Sequence, residues 1–276
     1  MDIREFFSNE YIVLYVSGLT YQLRDMPKFG IVNRKCIDGT IKSIREYDPR
    51  TKKVKCECYL SSEKGQAMLD SKKRREQLEE RLNFYKMLWY KRTARDIPLL
   101  SDVELRTIYN VSKKFKDLAF YQALEAEAAV RRYGAEKHTR QYNGIAMRSK
   151  LETIVATTLG ELDLPFKYEA AVKLGNDVKY TDFWVPLIFL NCCFPIEVAG
   201  MIADGAYLAK MNIDLVRYFE NGFLFNHNLL IVMETDGFEG SSETIGQTIC
   251  DFINRIVHDV FVAAEISLCN SNEFTT

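Results

Sequence analysis

The sequence predicts a mixed helix-and-sheet fold of the α/β (α+β) class, and three observations carry that prediction. Two strand-like runs flank a turn within residues 40–60, and residues 62–90 repeat apolar side chains at helical spacing. From Arg148 onward the pattern runs helix, strands, helix, strand, helix, which predicts a central sheet flanked by helices.

The first sixty residues read as short strands and turns. The apolar run at 11–16 (YIVLYV) reads as a strand, and Pro27, Gly30 and Gly39 punctuate the stretch after it. TIKSIREYD and KKVKCECYL flank Asp48-Pro49-Arg50-Thr51, a turn-forming tetrad, so a hairpin is expected over about 40–60. On its second strand Val54, Cys56 and Cys58 fall on one face, and Lys53, Lys55 and Glu57 on the other. Leu78, Leu82, Tyr85 and Leu88-Trp89 then recur at helical spacing until Ile97-Pro98 breaks the pattern. Ser101 and Glu104 form a capping-box pair, with helix expected over 103–117 and 119–133 and a break at Asn143-Gly144.

The later elements come in order. Residues 151–162 read as a helix stopped by Pro165. Residues 165–174 read as a strand closed by the tight turn Gly175-Asn176-Asp177. Strands are expected at 178–190, 194–200 and 228–235. A helix from about Tyr207 to Asn221 stops at Gly222, and another covers 241–262. The expected division is a small β-rich region over 1–61, a basic helical region over 62–147, and a domain over 148–276, without internal repeats.

Composition narrows the function. The 276 residues are 47% hydrophobic and 27% charged, a globular balance that excludes a disordered chain. No window approaches the run of about 20 apolar residues a membrane helix needs, so no membrane partner is expected. The charged start fits no export signal. Seven cysteines, with Cys192 and Cys193 adjacent, do not form a secreted disulfide framework and suit a reducing cytoplasm. Cys56 and Cys58, with His138, lack the second ligand pair of a zinc site and read as strand thiols.

The net charge of −1 conceals a strong asymmetry. Residues 1–150 hold 31 Lys+Arg against 20 Asp+Glu, whereas residues 151–276 hold 6 against 18. A basic half that meets a polyanion and an acidic half that holds cations would account for it, as would two differently solvated surfaces. Lys72, Lys73, Arg74 and Arg75, extended by Lys91, Arg92 and Arg95, form either a solvated helix face or a phosphate-contacting stripe. Lys113, Lys114 and Lys116 could join it. Tyr90 could stack on bases, whereas Trp89 reads as core.

Three acids are harder to explain as structure. Glu152 lies beside the apolar face of its helix, Asp182 inside an aromatic strand, and Glu197 between Ile196 and Val198. Carboxylates gathered on neighbouring strands repel and lose hydration, and a divalent cation with oxygen ligands removes both penalties.

In order, the chain carries Arg148-Ser149-Lys150-Leu151-Glu152, Tyr168-Glu169, Tyr180-Thr181-Asp182-Phe183, Glu197-Val198-Ala199-Gly200-Met201, Tyr207 and Lys210, then Tyr218, Asn221-Gly222 and Glu234-Thr235. Over 148–236 this series resembles the PD-(D/E)XK nuclease superfamily. It is similar to uncharacterised bacterial and phage members with R-S-K-x-E, Y-P-D-F, E-H-x-G-M and Y-x-x-K motifs. The resemblance implies a restriction-endonuclease-like fold and Mg²⁺- or Mn²⁺-dependent phosphodiester hydrolysis. The substrate would be a nucleic acid, DNA with RNA as the alternative. Asp182, Glu197 and the Val198 carbonyl would hold the ion, and Glu152 would hold a second ion or a water.

Two positions depart from the pattern. Thr181 replaces the proline, and Ala199 replaces the lysine that orients the attacking water. Lys210 is the first candidate to supply that amine, followed by Lys150, which could also contact nucleic acid, and then Lys179. His227 and His258 are expected to be structural or surface residues. Two competing readings remain: a nucleic-acid-binding protein that keeps the fold without catalysis, and a structural or partner-binding protein whose acids pair with Arg148 or Lys150.

Overall fold

The computed structural model describes residues 2–36, 39–112, 115–124, 140–200, 204–233 and 241–273. The chain divides into two compact units, one of residues 12–100 and one of residues 1–11 with 101–276. This division differs from the boundaries expected near 61 and 147, because the hairpin region and the long charged helix belong to one unit. The described residues form a mixed α+β structure, and none of their helices is long and apolar enough to cross a membrane.

The smaller unit begins within helix α1 (Asn9–Asp25). The run at 11–16 is therefore helical, not a strand. A short apolar run has no readable period, but Ile12, Val16, Leu19 and Leu23 continue it at helical spacing, and all four are buried. Strands β1 (Lys28–Cys36), β2 (Gly39–Tyr47) and β3 (Val54–Tyr59) make an antiparallel sheet in the order β1-β2-β3. The expected hairpin is β2–β3. The Asp48 carboxylate closes its turn by accepting from the Arg50 and Thr51 amides at 3.0 and 2.7 Å. Cys56 and Cys58 share a face, with their sulfurs 3.6 Å apart.

Helix α2 (Glu63–Thr93) starts at Ser62, whose hydroxyl accepts from the Gly65 amide. A Cβ on Gly65 would lie 2.0 Å from the Tyr59 carbonyl oxygen, so only glycine lets the helix leave the strand this closely. The helix ends at the left-handed Ala94, before Ile97-Pro98.

In the larger unit, α3 (Asp102–Val111) has the expected Ser101–Glu104 capping box. It ends earlier than predicted, and the chain enters the short strand β4 (Lys116–Asp117) and helix α4 (Leu118–Ala123). Residues 125–133 of the predicted helix lie outside the described residues. Asn143-Gly144 is the two-residue turn of a hairpin, β5 (Arg140–Tyr142) and β6 (Ile145–Met147), with both residues at positive φ.

The remaining elements keep close to the predicted order. They run α5 (Lys150–Glu161), β7 (Lys167–Leu174), β8 (Asp177–Leu187), β9 (Cys192–Ala199), α6 (Gly205–Glu220), β10 (Leu230–Met233) and α7 (Ser242–Glu273). β8 stops at Leu187, and the apolar residues after it make a 3₁₀ turn that ends at the left-handed Asn191. Gly222 stops α6 at φ +82°, as expected.

The sheet order is β10-β9-β8-β7, with β4 pairing along β9. β7, β8 and β9 are antiparallel neighbours, and β10 runs parallel to β9 after the α6 crossover. Trp184, Val172, Tyr218, Phe223 and Leu229 share one core cluster. Helix α7 packs on α5, α3 and β10.

Candidate functional site: an arginine-centred cluster of acids

The site starts from the local rules of a helix N-terminus. Ser149 caps α5 by accepting from the Glu152 amide at 3.0 Å, and Glu152 Oε2 accepts from the Ser149 and Arg148 amides at 3.2 and 2.9 Å. The Tyr168 hydroxyl on β7 donates to the same oxygen at 2.7 Å. One Glu152 oxygen is thus committed to starting the helix, and the S-x-x-E spacing of 149–152 is its sequence signature.

This capping throws the Arg148 side chain toward the sheet. Its Nη2 lies 2.7 Å from Asp182 Oδ1 and 3.4 Å from Glu152 Oε1, and its Nε lies 2.5 Å from Glu169 Oε1. Glu169 stands in β7 at φ +46°, a left-handed conformation that costs a non-glycine residue about 1–3 kcal/mol. The pairs Tyr168↔Phe183 and Ala170↔Thr181 bracket it, so it faces Asp182 across the strands. Asp182 Oδ2 in turn accepts from the Val198 amide at 2.7 Å.

Glu197 comes directly after Ile196, the partner of Phe183, so it falls beside Asp182 on the neighbouring strand. The Tyr218 hydroxyl donates to Glu197 Oε1 at 2.5 Å and is itself 2.6 Å from Thr181 Oγ1, which therefore donates to it. Lys179 Nζ lies 3.6 Å from Glu197 Oε2 and 2.8 Å from Asp214 Oδ2. The Tyr207 hydroxyl donates to the Val198 carbonyl at 3.3 Å.

Helix α5 and the two strands β8 and β9 therefore bring Glu152, Asp182, Glu197 and Val198 together, as the motif order implies. They also gather Arg148 and Glu169, to which the nuclease resemblance assigns no role. Both lie within the quoted motifs, and the signal for Glu169 is an acid between the strand residues Tyr168 and Ala170.

The charges do not balance. Among the described residues, Glu152, Glu169, Asp182, Glu197, Asp214 and the more exposed Asp177 pair with Arg148, Lys179 and Arg217, which makes six carboxylates against three cations. Burial first, then Glu197 and Glu152, pushes the Asp182 carboxyl well above its ordinary range, against the pull of Arg148 and the Val198 amide. Burial likewise raises Glu197, although Lys179 and Tyr218 oppose it. The cations respond in the opposite sense. Burial disfavours their charge, but Asp182, Glu152 and Glu169 hold Arg148 protonated, and Glu197 and Asp214 raise Lys179.

These shifts predict a pH dependence. Carboxyls with raised pKa keep their protons in the folded chain at pH values where the unfolded chain has already lost them. Stability then falls as pH rises from about 4 through the raised values. Without divalent cations, melting should be higher at mildly acidic than at neutral pH, and Asp182→Ala should flatten that slope. An equal slope in both proteins would reject the assignment.

The expected amines separate. Ala199 is buried within the core cluster, so the position that carries lysine in the similar family packs against apolar side chains here. Lys179 is the amine beside Glu197. Lys210 is exposed on α6 and Lys150 is exposed on α5, and neither forms an ion pair among the described residues.

The basic stripe lies on α2 of the smaller unit. Arg74, Lys91, Arg92 and Arg95 are exposed, while Lys72 pairs with Glu76 and Lys73 with Asp70. Arg75 corrects the expectation of a phosphate contact. It is buried, its Nη1 donates to the Leu23 and Met26 carbonyls at 2.9 Å each, and its Nε pairs with Glu79. Those carbonyls end α1, so Arg75 caps that helix. Tyr90 is exposed and Trp89 half-buried. His227 and His258 are surface residues, as expected. Lys113, Lys114, His138, Met201 and Glu234-Thr235 lie outside the described residues.

Comparison with protein-family models, with curated proteins and with solved structures finds no match.

Proposed function

We propose that this protein is a divalent-cation-dependent nuclease, acting on DNA or RNA, whose site is the acid cluster of α5, β7, β8 and β9. The observation that carries the reading is the gathering of carboxylates in excess of cations around Asp182, where burial raises both Asp182 and Glu197 and the neighbouring acids Glu197 and Glu152 raise Asp182 further. A divalent ion would remove that excess. The donors suit Mg²⁺ or Mn²⁺, because carboxylate oxygens of Asp182 and Glu197 and the carbonyl of Val198 come from adjoining strand positions without sulfur or imidazole. These three residues would hold the ion, which when bound would polarise a phosphate oxygen and neutralise its developing charge.

The chain's own residues do the rest. Tyr218 and Thr181 fix the Glu197 carboxylate, the Val198 amide fixes Asp182, and Glu152 fixes the start of α5. Lys179, rather than Lys210, is the amine held beside the acids to orient a nucleophile. Arg74, Lys91, Arg92 and Arg95 supply exposed positive charge for a phosphate backbone. The described cysteines 56, 58, 192, 193 and 250 are free thiols, which suits a cytoplasmic setting.

A second reading has its own observation. Arg148 pairs with three of the acids, which is what a structural or catalytically silent protein would require. Incubation of plasmid and single-stranded substrates with Mg²⁺, with Mn²⁺ and with EDTA separates the two. Cleavage that needs the cation and stops with EDTA is expected. Absence of cleavage on both DNA and RNA under all three conditions would favour the second reading.

A further inference from the structure

We propose that Arg148 is a built-in competitor of the divalent cation, holding the acids of the cluster together and giving them up when the ion binds. The inference rests on the metal-site reading above. The guanidinium lies 2.7 Å from Asp182 Oδ1, while the Val198 amide takes Oδ2 at the same distance. An ion bonded to Asp182 at about 2.1 Å would sit within a few ångströms of that guanidinium, two like charges in a site with little water to screen them.

The geometry makes Arg148 suited to this task. One planar side chain reaches Asp182, Glu169 and Glu152, which come from two strands and a helix, through the separated donors of a fork that a lysine's single ammonium lacks. Arg148 directly precedes the α5 cap, so its backbone stays tied to Glu152 while its side chain moves. The side chain retains 27% exposure, which leaves a route outward. Once displaced, its fork of donors can turn to the phosphate that the ion attracts, since bidentate pairing suits phosphate as well as carboxylate.

Mn²⁺ binding, read from the signal of the free ion by electron paramagnetic resonance at mildly alkaline pH, tests this without any turnover. Arg148→Met should bind Mn²⁺ about tenfold or more tightly than the wild type, the scale on which neighbours of a ligand tune metal affinity. Removing the guanidinium leaves buried carboxylates uncompensated and could prevent folding, so Arg148→Lys is measured beside it. It keeps the charge, loses the three-way span, and should also bind more tightly. Asp182→Ala should lose the site. Equal or weaker affinity in the folded Arg148 variants, with the wild type binding, would overturn the competition and leave the metal site standing. No Mn²⁺ bound by the wild type or by either variant would overturn the metal reading and this inference with it.

Discussion

Asp182→Ala is expected to lower cation-dependent cleavage by about a hundredfold or more, the scale of losing one preorganised electrostatic contact. The substitution removes the carboxylate to which α5, through Arg148, and β9, through the Val198 amide, both connect. Its effect on folding should be small by comparison. The Val198 amide loses its acceptor, a cost of about 1–3 kcal/mol. Against that, Glu197 and Glu152 lose a like charge that burial makes expensive, and Arg148 keeps Glu169 and Glu152 as partners. A melting temperature close to the wild type, together with lost cleavage, is the expected pair of results. Cleavage that persists would exclude the mechanism.

Trp184→Ala should have the largest effect on stability, about 3–5 kcal/mol, because the indole is fully buried and its removal leaves a cavity in a packed core. Its ring lies 5.0 Å from that of Phe120 and 5.8 Å from that of Phe223, and it shares the core cluster with Val172, Tyr218 and Leu229. The residue also anchors the strand that carries Asp182, two positions away. Chemical denaturation of the variant measures the loss. A change below about 1 kcal/mol would mean that the core around β8 is not packed as described.

How much of the fold and the site is legible in the sequence depends on how local each signal is. Periodicity and punctuation read well from residue 148 onward, where each element is bounded by a cap, a proline or a glycine: Ser149 starts α5, Gly175 turns β7 into β8, and Gly222 ends α6. The run at 11–16 misleads because six apolar residues suit a buried strand and a buried helix equally. The three acids are visible as carboxylates with no apolar reason to be where they are. The cation that joins Glu152 to Asp182 is not, because Arg148 reaches Asp182 across 34 residues of sequence, and only the register of β7 against β8 brings Glu169 alongside. Arg75 shows the same limit in reverse. Within a run of four basic residues nothing local marks the one that turns inward to cap α1. The sequence likewise ranks Lys210 ahead of Lys179, because nothing local shows that the α6 residue Asp214 pairs with Lys179.

Whether the acid cluster holds a divalent ion can be seen in a crystal structure of the wild-type protein grown with Mn²⁺, through the anomalous signal of the metal. A peak bonded to oxygens of Asp182 and Glu197 is expected, with the Arg148 guanidinium withdrawn from Asp182. A saturated crystal in which Arg148 still occupies Asp182 Oδ1 and no metal touches either carboxylate would contradict it.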